Sequence, residues 1–75
     1  MFTNTPKDNA RAFKGLLESD PVTASTTVVR VNNAVVYVSS VHQRSLDKAL
    51  ELAESLQARY VFFKGGDGLT LTFQK

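Results

Sequence analysis

The sequence predicts a small α+β domain, helix–hairpin–helix–hairpin in order (α-β-β-α-β-β). It holds a four-stranded, mainly antiparallel sheet with the helix of residues 45–58 packed on one face. Three observations predict it. Residues 45–58 carry a one-sided apolar stripe at helical spacing. Two segments rich in β-branched and aromatic residues, 26–41 and 60–73, alternate in polarity and break at turn signals. A weaker helical pattern precedes the first of them. At 75 residues the chain accommodates one domain, 1–75.

Residues 1–4 read as a short flexible tail. Thr5 followed by Pro6 marks a helix start: threonine caps, and proline fits the first helical position, where an N–H would lack a partner. Asp8, three residues on, favours the positive end of the helix dipole. Ala10, Phe13, Leu16 and Leu17 then recur on one side. Gly15 weakens this helix by up to about 1 kcal/mol relative to alanine, and Asp20-Pro21 stops it.

The first hairpin turns at Asn32-Asn33, because asparagine tolerates positive φ better than most residues. With Val31 opposite Ala34, Val29 faces Val36 and Thr27 faces Val38. Thr27, Val29, Val31, Ala34, Val36 and Val38 then form the core face. Val28, Arg30, Val35, Tyr37 and Ser39 form the other.

Ser45 is the expected N-cap of the second helix, with Asp47 in its first turn and Arg59 at its end. Leu46, Ala49, Leu50, Ala53 and Leu56 share one side, and Leu52 widens the stripe. The second hairpin, residues 60–73, turns at Gly65-Gly66-Asp67-Gly68. Tyr60, Phe62, Leu69, Leu71 and Phe73 share one face; Val61, Phe63, Thr70 and Thr72 share the other. The strand–helix–strand crossover is expected to be right-handed if its two strands run parallel in one sheet. The twofold theme of helix and hairpin has no matching residue alignment.

Composition narrows the function classes. The chain is 43% hydrophobic and 21% charged, with a formal charge of only +2. That balance does not by itself imply nucleic acid. No apolar run approaches the roughly 18–20 residues that cross a bilayer. The first residues lack the basic and apolar regions of a signal peptide, and the cytoplasm is the expected compartment. A chain this short buries only about 60–65% of its unfolded surface. With no cysteine and one histidine, neither disulfides nor a zinc site supply the missing stability, so a homo-oligomer is expected.

Catalysis finds little footing. His42 is the one base suited to neutral pH, beside Ser39 and Ser40, but no carboxylate is assigned to orient it. No metal-ligand spacing appears, and no cofactor is expected. The glycines of 65–68 lack the lysine and hydroxyl of a P-loop and lead into a strand, so a hairpin turn accounts for them.

Two charge stripes remain. Lys7, Arg11 and Lys14 follow one line of the first helix, continued by Glu18. Asp47, Glu51 and Glu54 follow one line of the second, and each has the ordinary reading of a solvated face. The expected function is a non-enzymatic binding module, a homo-oligomeric regulator or inhibitor acting through protein–protein contact. Its expected partner surface has Tyr37, Phe63 and Arg30 as anchors and Lys7, Arg11 and Lys14 at the rim. The alternative is a nucleic-acid-binding protein using the basic stripe, with Lys64 and the exposed aromatics beside it.

Overall fold

The computed structural model describes residues 5–74; the tail expected at residues 1–4 lies outside them. Helix α1 (Pro6–Ser19) begins where Thr5-Pro6 places it. Thr5 is extended and its Oγ1 accepts from the Asp8 N–H at 3.2 Å, which satisfies one of the free donors of the first turn. At the other end the Asp20 N–H donates to Leu16 O at 3.0 Å. The Asp20 Oδ1 accepts from the Val22 N–H at 2.8 Å, turning the chain into the 20–27 loop.

Strands β1 (Val28–Asn32) and β2 (Val35–Ser39) form the first hairpin. Its turn lies one residue later than expected: Asn32 pairs with Val35 and Val31 with Val36, with Asn33-Ala34 between the strands. Centred there, the turn needs positive φ at Asn33 alone (+59°), so one asparagine rather than two enters the left-handed region. The shift changes each partner by two residues and leaves both faces as expected.

Helix α2 (Gln43–Ser55) starts two residues before the expected cap. Ser40 Oγ accepts from the His42 N–H at 3.1 Å and bends the chain out of β2. The His42 carbonyl then accepts from Ser45 N–H at 3.1 Å and Leu46 N–H at 3.4 Å. Ser45 is therefore not the cap. It is buried inside the first turn, its Oγ 2.7 Å from Thr26 Oγ1. Asp47 falls beyond the first turn and accepts from Gln43 Nε2 at 2.9 Å. The helix also ends early: Gln57 takes a left-handed φ of +57°, and Arg59 opens the next strand instead of closing the helix.

Strands β3 (Arg59–Gly65) and β4 (Gly68–Gln74) join through the two-residue turn Gly66-Asp67, with Gly66 at φ +59°. The sheet order is β1-β2-β4-β3 and every neighbouring pair is antiparallel. β2 and β3 thus run parallel to each other with β4 between them. Both helices cover the same face. Ala10, Phe13 and Leu17 of α1 and Leu46, Ala49 and Ala53 of α2 join Val36, Val38, Leu69, Leu71 and Phe73 in one core. The Phe13 and Phe73 rings sit 5.6 Å apart, tilted by 57°, a favourable aromatic geometry. No helix among the described residues is long and apolar enough to cross a membrane.

The twofold theme is real in the backbone of the sheet. Shifting the first hairpin by 33 residues carries Asn33 onto Gly66, the two left-handed turn residues. The same shift carries the pair Val28↔Ser39 onto Val61↔Thr72. Between the hairpins, Val35↔Thr72 maps onto Ser39↔Gly68, as a twofold axis through the sheet at β2–β4 requires. The helices break this symmetry. α1 lies close over β1, β2 and β4, whereas α2 rests on α1 and β2.

Candidate functional site: the uncovered sheet face

With both helices on one side, the other face of the sheet is bare. A row of four residues crosses it, one from each strand. Arg30 pairs with Tyr37, Tyr37 with Thr70, and Thr70 with Phe63. Strand spacing puts Tyr37 and Phe63 about 10 Å apart with the small threonine between them. Tyr37 is 44% exposed and Phe63 59%. Val28 is also exposed, while Val35, Val61, Thr70 and Thr72 are half-buried.

The floor beside the row is low because two glycines face each other there, Gly65 and Gly68. A Cβ on Gly68 would meet Val38 O at 2.9 Å, so the close approach of two backbones excludes a side chain. The result is an open depression of about 360 Å³ between Tyr37 and Phe63. A second, of about 540 Å³, lies on the other side of Tyr37 against Arg30 and Asn32. The two charged strand residues on this face are Arg30 and Arg59, and no strand contributes a carboxylate to it. It is an apolar and hydroxyl-bearing surface with cationic margins.

Tyr37, Phe63 and Arg30 are thus brought together as expected. Lys7, Arg11 and Lys14 are not part of the same surface. They lie on α1, which packs against the opposite face, so the thickness of the sheet separates the basic stripe from the aromatic row. Lys14 Nζ lies 3.9 Å from Glu18 Oε2, both well exposed, a pair of small energetic weight. The Lys64 side chain also falls on the helix-bearing side, where Nζ donates to Gln43 Oε1 at 3.2 Å.

The acidic stripe does not meet the basic one among the described ion pairs. The contact between helical regions is Lys48 Nζ to Asp20 Oδ2 at 3.7 Å, and Lys48 also reaches Glu51 at 3.8 Å. His42 is exposed and its imidazole makes no capping bond. Ser40, its neighbour, is buried and committed to holding the backbone. No three His, Asp or Glu side chains converge among the described residues.

Tyr60, packed beside Phe73 with ring centroids 6.0 Å apart, has its hydroxyl pKa pushed above the usual value of 10.0 by burial and then by the Glu54 charge. Its raised value leaves stability intact below about pH 10 and lowers it as pH climbs through the folded-state value.

Sequence reasoning placed Thr70 on this face without counting it in the partner surface, and passed over Gly65 and Gly68 as parts of it. Thr70 shares the parity of Phe63, which was signal enough; the glycines carried none beyond their turn. No protein-family model, curated protein or solved structure matches the chain.

Proposed function

We propose that this protein is a small cytoplasmic binding module without catalytic activity, a regulator or inhibitor that presses its bare sheet face against another protein. The observation that carries this reading is the row Arg30–Tyr37–Thr70–Phe63. Two exposed aromatic rings, a hydroxyl and a guanidinium stand together on a rigid sheet, backed by a complete core. Tyrosine and arginine dominate interface energetics because each joins a broad apolar body to directional hydrogen bonding. The sheet fixes their positions before binding, which lowers the ordering cost of association. The missing carboxylates on the strands favour a partner surface that is neutral or acidic around an apolar centre.

Affinity capture from the native host tests this with three baits. The wild type and a Lys7→Glu/Arg11→Glu variant should retain the same protein, and a folded Tyr37→Ala/Phe63→Ala variant should lose it. Equal retention by all three sinks the proposal. Recovery of nucleic acid whose binding falls steeply with salt, and fails with the α1 variant, would replace it with the basic-stripe alternative.

A further inference from the structure

The backbone bonds of the sheet fix which groups its edges leave free. Ser40 N–H donates to Asp67 O at 2.9 Å and Phe73 N–H to Ala34 O at 2.8 Å. Alternation from these anchors means that Leu69, Leu71 and Phe73 bond toward β2, while Gly68, Thr70, Thr72 and Gln74 bond toward β3. On β3, Arg59, Val61, Phe63 and Gly65 therefore bond inward. The N–H and C=O groups of Tyr60, Phe62 and Lys64 point off the edge, and no described backbone group from the turns, loops or caps meets them.

We propose that this edge pairs with the β3 edge of a second copy, antiparallel about a twofold axis at Phe62, joining two four-stranded sheets into one of eight. Among antiparallel registers of β3 with itself, this one pairs all seven residues. It also sets free groups against free groups. Phe62 faces Phe62 of the second copy and Tyr60 faces its Lys64, each pair exchanging both backbone bonds.

The side chains agree with the register. On the helix-bearing side Phe62 meets its own copy, and Lys64, whose ammonium donates to Gln43 of its own chain, lays its apolar stem beside a tyrosine ring. On the bare side Val61 meets Phe63, an aromatic–β-branched pair of the kind that stabilises sheets. Arg59 faces Gly65, so no like charges stand opposite each other. The helices lie over β1, β2 and β4, which leaves Phe62 40% exposed and open to its counterpart.

The other edge behaves differently. The equivalent full-length pairing of β1 places Arg30 directly against Arg30 of the second copy, like charges on one face. Thr23 O, moreover, already takes the N–H of Thr27 at 3.1 Å, just before β1. One edge of the sheet is guarded against self-pairing and the other is complementary to itself. The β3 pairing leaves the row Arg30–Tyr37–Thr70–Phe63 uncovered and sets two such rows on the same side of one sheet, so it stands independently of the partner proposed above.

Sedimentation equilibrium from micromolar to millimolar chain should find a monomer–dimer equilibrium. Phe62→Lys places two ammonium groups at the axis and should weaken the dimer about tenfold or more, since facing like charges are strongly unfavourable across an interface. Tyr37→Ala should leave it unchanged. The cysteine-free sequence gives a second readout that survives poor folding of the lysine variant. Phe62→Cys should oxidise to a disulfide-linked dimer, while Val29→Cys on the β1 edge should not. A wild type that stays monomeric throughout overturns the pairing. So does a dimer that withstands Phe62→Lys, or one abolished by Tyr37→Ala alone, which would move self-association to the bare face. Partner capture by monomeric Phe62→Lys keeps the fate of the binding face separate from the fate of the edge.

Discussion

Thr23 is fully buried, and its hydroxyl donates to Leu17 O at 2.6 Å. That carbonyl belongs to the last turn of α1, where the helix itself supplies no donor. Thr23→Val keeps the shape and removes the donor, so it should cost about 1–3 kcal/mol in chemical denaturation, the penalty of an orphaned buried acceptor. His42 is the opposite case, a cap position filled by a side chain that caps nothing. His42→Asp should stabilise the fold by about 0.5–2 kcal/mol, because an aspartate there can accept from the free N–H groups of the first turn. His42→Ala should leave both the melting curve and any binding activity essentially unaltered. A large loss of function in folded His42→Ala would reopen an enzymatic role.

At the level of elements, the two helices depend on the sheet to different extents. Leu46 on α2 is buried, whereas Leu50, although on the same stripe, is half-exposed. α2 puts Leu46, Ala49 and Ala53 into the core and ties Ser45 to Thr26 of the preceding loop, while Leu50, Leu52 and Leu56 pack at its margin. Leu46→Ala should therefore cost about 2–5 kcal/mol, and Leu50→Ala only about 1–2 kcal/mol, since less apolar surface leaves water there. Paired urea titrations compare them directly. Two glycines give a contrast of opposite sign. Gly15 lies on an exposed stretch of α1 with open space around it, so Gly15→Ala should raise stability by about 0.5–1 kcal/mol. Gly68→Ala should lower the melting temperature, because its Cβ runs into the Val38 carbonyl, and that carbonyl belongs to the central strand pair.

For the whole molecule, the decisive fact is that both helices share one side. The sheet then separates the basic stripe of α1 from the aromatic row by roughly the 10 Å of a packed layer, about one Debye length at physiological salt. Reversing Lys7 and Arg11 to glutamate should thus leave association at the bare face nearly unchanged. Arg30→Glu, inside the row, should slow it, and Tyr37→Ala should act through faster dissociation. Surface plasmon resonance at two salt concentrations separates these rates once the partner is in hand. A strong effect of the α1 reversal would show that the partner reaches around the sheet.

Whatever depends on local period and local chemistry was legible in the order of the residues. Thr5-Pro6 starts α1 because a cap and a proline act within one turn. The face of every strand residue follows from alternation, which is why Tyr37, Phe63 and Arg30 could be placed together before the strands were joined. Features that rest on distant partners were fixed by the assembled fold. The first turn moved to Asn33-Ala34, because shifting a pairing by two residues preserves both faces and leaves no trace in the pattern. Ser45 exchanged a capping role for a bond to Thr26, 19 residues away. α1 joined α2 on one side, where Val36, Val38, Leu69, Leu71 and Phe73 form one continuous apolar floor, whereas the other face interleaves Val61 and Phe63 with Arg30, Ser39 and two threonines. Strand order followed from that shared core, and with it the exposure of one sheet face and of the Phe62 edge. A hydrophobic pattern states that a surface must be covered; which element covers it is settled by where the connections allow the elements to meet.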